Sequence, residues 1–94
     1  MTTRITQLDD QASEKTTLRV EGSLHREDAA VLEETYANLR AENVENIAID
    51  LSNISFMDSE SASVLCRLRK LGVELVGLHF FIQRVIEIAE KSVE

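Results

Sequence analysis

Apolar positions along this chain change their period several times, and each change marks an element. Ile5, Gln7 and Leu8 give a short, weak strand signal, followed by a polar, turn-like stretch, DDQASEK, over residues 9–15. TTLRVEG, residues 16–22, alternates Leu18 and Val20 with polar neighbours, the period of a half-buried strand. The two segments together predict an antiparallel hairpin with a long tip. Over residues 27–42 the period becomes helical: Ala29, Leu32, Tyr36 and Leu39 recur on one side, with Glu33, Glu34 and Arg40 outward. Glu27 and Asp28 put negative charge where the helix dipole favours it, and Asn43 is a left-handed stop.

IAIDLS, residues 47–52, reads as an interior strand. Ile47, Ile49 and Leu51 face one way, and Ala48 makes the other side partly apolar. Asn53 is expected to begin a turn, with Ile54 and Phe56 anchoring the approach to a second helix over about residues 59–71. In that helix Ala62, Leu65 and either Leu68 or Arg69 share a face, and Gly72 ends it. VELVG, residues 73–77, predicts a short strand. HFFIQRVIEIAEK, residues 79–91, predicts a third helix with Ile82, Val85, Ile86 and Ala89 inward. The order β-β-α-β-α-β-α implies an α/β fold: a mixed sheet of about four strands, with three α-helices packed mainly on one face.

The totals narrow the function. Ninety-four residues, 44% hydrophobic and 29% charged, fit one folded domain spanning residues 1–94. A net charge of −7 repels polyanions, and the four aromatic residues offer little for base stacking, so nucleic acid is excluded as a partner. A lone cysteine, Cys66, cannot form an internal disulfide and is read as packing. No signal-like apolar run opens the sequence and no window approaches a membrane span. A cytoplasmic location without direct membrane insertion is therefore expected.

The chemistry gathers at Asp58, Ser59, Glu60 and Ser61, where a strand signal hands over to a helix. Asp58 or Ser59 as a plain N-cap accounts for the turn in structural terms. A catalytic serine would need a base, and His25 and His79 are the two histidines present; the Gly-x-Ser-x-Gly elbow is absent. No metal-ligand spacing or phosphate-binding glycine loop is present, so neither a metal nor a cofactor is expected, and the chain is read as non-enzymatic. The third helix, with Phe80, Phe81, Ile82, Val85, Ile86 and Ile88, is more apolar than one stripe requires. It reads equally as a broad core contact or as an interface, to a partner or to a second copy in a homodimer.

The segments EGSLHREDAAVLEE, IAIDLSNISFMDSESASVLCRL and GVELVGLHFFIQRVIEIAE together resemble the STAS domain, the sulfate transporter and anti-sigma factor antagonist fold. The resemblance spans about residues 16–90 and rests on the ordered set, with the strand IAIDLS, a short turn, ISFMDS and a helix at its centre. In that family the turn commonly reads Asp-Ser-Ser-Gly or Asp-Ser-Thr-Gly, and the third residue is phosphorylated by a kinase-type anti-sigma factor. Here Asp58 and Ser59 match, Glu60 stands at the phosphoacceptor position and Ser61 replaces the glycine. The family's Gly-x-Leu-Asp after the second strand is Gly22-Ser23-Leu24-His25 in this chain.

The resemblance implies a bacterial transcription-regulating module. It would bind an anti-sigma factor or related kinase-fold regulator through Leu24, His25 and Arg26 together with Asp58, Ser59, Glu60 and Ser61. Glu60 would stand in part for a phosphorylated side chain, or Ser59 or Ser61 would serve as acceptor. The alternative within the same fold is an accessory subunit of a phospholipid-transport ABC system, docking through the same region without a phosphorylation cycle.

Overall fold

The computed structural model of the chain describes residues 3–93. Two strands open it, β1 (Arg4–Asp10) and β2 (Lys15–Leu24), followed by α1 (Arg26–Ala41), β3 (Asn46–Met57), α2 (Ser59–Lys70), β4 (Glu74–Val76) and α3 (Phe80–Val93). The strands form one sheet in the order β1-β2-β3-β4. β1 is antiparallel to β2, while β2–β3 and β3–β4 are parallel. The α/β mixed sheet and its three helices agree with the sequence reading.

One face of the sheet is apolar and the helices cover it. Leu18, Val20 and Leu24 of β2 and Ile47, Ile49 and Leu51 of β3 join one cluster with Ala29 and Leu32 of α1, Ala62, Leu65 and Leu68 of α2, and Ile82, Ile86 and Ala89 of α3. The opposite face is polar and held by charge. Arg19 pairs with Asp50 at 3.5 Å, and Lys15 reaches Glu74 at 2.7 Å, spanning β3 near the small, buried Ala48. Such exposed pairs add little stability each, and a face so polar offers no seat for a helix. Arg69, the alternative to Leu68 on the inner face of α2, is exposed and pairs instead with Glu90 of α3 at 2.9 Å.

Both parallel connections turn back after a left-handed residue. α1 ends with Asn43 at φ 67° and α2 with Gly72 at φ 107°. In each case the next residue's N–H returns to the helix, Val44 to the Leu39 carbonyl and Val73 to that of Leu68, both at 3.0 Å. These are Schellman ends, and they fold an apolar residue back onto the core.

Besides two-residue extensions of β2 to Leu24 and of α3 to Val93, three boundaries differ from expectation. β1 runs to Asp10 rather than stopping near Leu8, so the hairpin tip shrinks to residues 11–14. The Asp10 carboxylate accepts the Ala12 N–H at 3.0 Å, a local bond that tightens the tip and lets Asp9 and Asp10 remain in the ladder. β4 keeps only its middle three residues.

β3 shows the third difference: it does not turn at Asn53 but continues to Met57. Its pairing with β2 slips between Arg19 and Glu21, and again between Gly22 and Ser23. At each slip β3 carries an extra residue, and an extra residue reverses which face follows. The buried positions therefore step by three, Leu51, Ile54 and Met57. Phe56, two residues after Ile54, is carried outward and is 42% exposed instead of anchoring the core.

Candidate functional site

The two slips in β3 bring Met57 level with Leu24, so the C-terminal ends of β2 and β3 release their chains side by side. The segment Leu24–Arg26 and the turn Asp58–Ser61, far apart in sequence, meet there. Asp58 is the N-cap of α2, with extended backbone at φ −82° and ψ 168°. Its Oδ1 accepts the Ser61 N–H at 2.8 Å, and its Oδ2 accepts the Arg26 N–H at 3.0 Å. One carboxylate thus satisfies free N–H groups at the start of two helices. Two further bonds close on the Leu24 carbonyl: the Asp58 N–H and the Ser61 hydroxyl, each at 3.2 Å.

Burial alone would push the Asp58 carboxyl up. Donation from Ser61 and from the Arg26 N–H, with the charge of His25 alongside, outweighs it and holds the group below the ordinary aspartate value of 3.8. The His25 ring nitrogen Nδ1 stands 3.9 Å from Asp58 Oδ2. The Ser61 hydroxyl has one proton to give and directs it to Leu24, so the two backbone N–H groups do the main work of holding the carboxylate.

The four turn residues divide by role. Asp58 and Ser61 face inward, and Ser61 is fully buried. Ser59 and Glu60 are exposed. Glu60 lies 3.5 Å from the Arg26 guanidinium, an exposed contact between the two helix starts. His25 is the exposed N-cap of α1, where its N–H is accepted by Asp28 at 3.0 Å.

The structure adds two features to the expected site. Phe56 lies against His25, with ring centroids 5.2 Å apart, so an aromatic edge borders the charged turn. No periodic signal could place it, because the slip that exposes it depends on the pairing partner. The other is a pair of shallow grooves flanking Glu60 and Ser63. The one between α2 and α3, about 300 Å³, is lined by Val85, Ile88 and Ala89 on its α3 side. The one between α1 and α2, about 330 Å³, carries Arg26, Glu33 and Arg67. Arg67 and Glu33 pair across the latter at 3.1 Å.

His79 does not join the turn; it sits before α3 with Nε2 3.2 Å from the Ile54 carbonyl. Cys66 is buried, its Sγ 3.5 Å from the Ile86 carbonyl, and burial pushes the thiol up, away from the reactive thiolate. Among the described residues no group of three or more His, Cys, Asp or Glu is placed to hold a metal, and no helix is long and apolar enough to cross a membrane. Ile88 of α3 is 58% exposed, whereas Ile82 and Ile86 are buried; the expectation about Phe80 and Phe81 concerns side chains outside the described residues.

A helix-backed mixed sheet whose two strand ends present a capped, charged turn defines a small α/β fold. The chain belongs to the STAS domain family: the family model described as "Mlab, STAS domain" matches residues 8–90. Its fold is similar to that of the anti-sigma factor antagonist SpoIIAA in its unphosphorylated form, with a TM-score of 0.70 at 17% identity over 96% of this chain and 94% of that one. A protein of the DUF3478 family from Shewanella loihica PV-4, with a SpoIIAA-like fold, aligns with a TM-score of 0.60 at 14% identity, over 96% of this chain and 78% of the other. The antisigma-factor antagonist STAS domain from Rhodobacter sphaeroides aligns with a TM-score of 0.57 at 24% identity, over 80% and 86%. No curated protein sequence matches significantly.

Proposed function

We propose that this chain is a non-enzymatic, protein-binding regulatory module of the anti-sigma factor antagonist kind. Its partner is an anti-sigma factor or related kinase-fold regulator, met through His25 and Arg26 and the exposed Ser59 and Glu60 of the turn. Leu24 and Ser61, both fully buried, support this surface from beneath rather than touching the partner, and Asp58 joins its two halves. The observation that carries the reading is the Asp58 carboxylate bonding to both Ser61 and Arg26, which makes two distant segments one rigid surface. On it stand the exposed side chains of Ser59, Glu60, His25, Arg26 and Phe56. A rigid surface limits the ordering cost of association, and its mixed charge sets partner choice.

Glu60 occupies the position where the resemblance puts a phosphorylated hydroxyl. A carboxylate supplies one negative charge there permanently, against about −1.5 to −2 for a phosphate. In this reading affinity is set by a fixed charge rather than by a cycle. Binding of a kinase-fold regulator encoded beside this gene, measured by titration calorimetry, should weaken at least tenfold on Glu60→Arg. Glu60→Ser should become a substrate for phosphate transfer from that regulator. Equal affinity for wild type and Glu60→Arg would sink the proposal.

The same Glu60 also supports the second reading, an accessory subunit of a phospholipid-transport ABC system. With a carboxylate at position 60 and the Ser61 hydroxyl fully buried, Ser59 is the exposed hydroxyl of the turn, one residue before the expected acceptor. A docking subunit needs no acceptor. Co-purification with an ATPase and permease in place of a kinase-fold regulator would select this alternative.

A further inference from the structure

β1 is an outer strand. It pairs with β2 on one side only, is mostly exposed, and runs without a register slip from Arg4 to Asp10. It carries no proline, lysine or bulge, three of the devices that protect a sheet edge, so its charges, Arg4, Asp9 and Asp10, are what select the strand that can pair with it. Its charges sit at opposite ends: Arg4 opens the strand, and Asp9 and Asp10 close it. A strand positive at one end and negative at the other is complementary to itself when reversed.

We propose that β1 pairs antiparallel with β1 of a second copy, centred on Gln7, so that two sheets join into one. Counting outward from Gln7, Arg4 falls opposite Asp10 of the second copy and Asp10 opposite its Arg4, with Thr6 opposite Leu8. Arg4, Thr6, Leu8 and Asp10 all project to the helix-free face, as their β2 neighbours Glu21, Arg19, Thr17 and Lys15 do. Both charge pairs therefore form on one surface, at the spacing where cross-strand pairs interact.

Arg4 makes no ion pair among the described residues, so its guanidinium is not already committed. Leu8, 39% exposed, gains cover from Thr6 of the second copy and lies diagonal to its Leu8. The arrangement is a two-fold, isologous one, which closes at two chains. A seam seven residues long falls in the small-interface class, below about 1,200 Å², and each copy carries −7, so association is weak and needs high protein concentration.

Sedimentation equilibrium over a concentration series tests this with wild type, Arg4→Asp, Asp10→Arg and an equimolar mixture of the two variants. Wild type should self-associate. Each variant alone should do so about tenfold more weakly, a change of ~1.4 kcal/mol shared by two symmetric pairs. The mixture should recover wild-type affinity. There the aspartate introduced at position 4 of one chain meets the arginine introduced at position 10 of the other, while the unchanged Asp10 of the first meets the unchanged Arg4 of the second. A monomeric wild type at the highest concentration, or a mixture no tighter than its components, overturns the proposal.

Asp10→Arg also removes the acceptor of the Ala12 N–H at the hairpin tip, so its fold is checked by circular dichroism. Hydrogen exchange in the wild type gives an independent reading. Protection of β1 amides should rise with protein concentration, and self-association without it would place the interface elsewhere and overturn the assignment.

Discussion

Replacing Asp58 tests the central claim that one carboxylate holds two helix starts. Asp58→Ala removes the N-cap of α2, a loss of about 1 kcal/mol. It also removes the acceptor of the Arg26 N–H, a bond to a charged group for which about 1.5–3 kcal/mol is usual. Asp58 is 31% exposed at its side chain, and water can replace part of that bond, so the lower end applies. The sum is about 2–3 kcal/mol, or a fall in Tm of roughly 10–20 °C for a domain of this size.

Asp58→Asn separates the two roles. Its carbonyl oxygen can still accept from Ser61, but its amide faces the Arg26 N–H with a donor, so about half the loss is expected. The pH dependence is more diagnostic. The folded-state carboxyl lies below 3.8, so the unfolded chain binds its proton first as pH falls. Stability from this group is therefore complete above about pH 5 and is lost as pH falls past 3.8 and through the lower folded value. Asp58→Asn should flatten that part of the curve and leave the parts due to Asp10 and Asp50, which are also held low. Urea titrations followed by circular dichroism between pH 3 and 7 provide the measurement. An unchanged acid slope in Asp58→Asn, or a loss under about 0.5 kcal/mol in Asp58→Ala, would refute the reasoning.

Ser61→Ala should cost only about 1 kcal/mol, because the Leu24 carbonyl keeps its bond from the Asp58 N–H; Ser61→Asp, which buries a second carboxylate beside the first, should cost at least about 3 kcal/mol by urea denaturation. Glu60→Ser should leave stability within about 0.5 kcal/mol, since Glu60 touches Arg26 only through an exposed contact; a larger loss in thermal melts would show that it helps hold the turn. Gly72→Ala and Gly77→Ala both place a side chain at positive φ, but a Cβ at Gly72 meets open space while one at Gly77 comes within 2.7 Å of the Ser52 backbone nitrogen. Gly77→Ala should therefore be the worse by at least about 1 kcal/mol in urea, and equal losses would mean that the approach of the two segments is not close.

The helices and the inner faces of β2 and the first half of β3 were legible in the sequence because their periods are uninterrupted. Ala29, Leu32 and Leu39, or Ile47, Ile49 and Leu51, state their burial by spacing alone. The second half of β3 was not legible. There the inward residues step by three, a spacing that reads as a turn, and the cause is a slip against β2 that no local pattern carries. Phe56 went to the wrong face for that reason. The hairpin tip was misjudged because Asp9 and Asp10 have poor strand propensity, which a ladder pairing and one bond to Ala12 override. Of the site, the capping role of Asp58 was readable from residue type. Its second bond to Arg26 was not, because it joins residues 32 positions apart.

The turn separates what holds the fold from what faces outward. Among the described residues, Asp58 and Ser61 make the hydrogen bonds that join the strand end to the start of α2 and to Leu24 and Arg26. Both inward positions accept only small or short polar side chains: Ser61 is fully enclosed, and Asp58 must reach an N–H on either side. Position 60 carries no such bond. Its side chain can change from hydroxyl to carboxylate without altering the caps, so the charge at this exposed position varies independently of stability. A charged group added to a residue that also held the helix would disturb the turn, whereas one added at position 60 would leave both caps in place. Glu60 uses the same freedom to carry a permanent charge, 3.5 Å from Arg26, on a scaffold that Asp58 and Ser61 keep fixed.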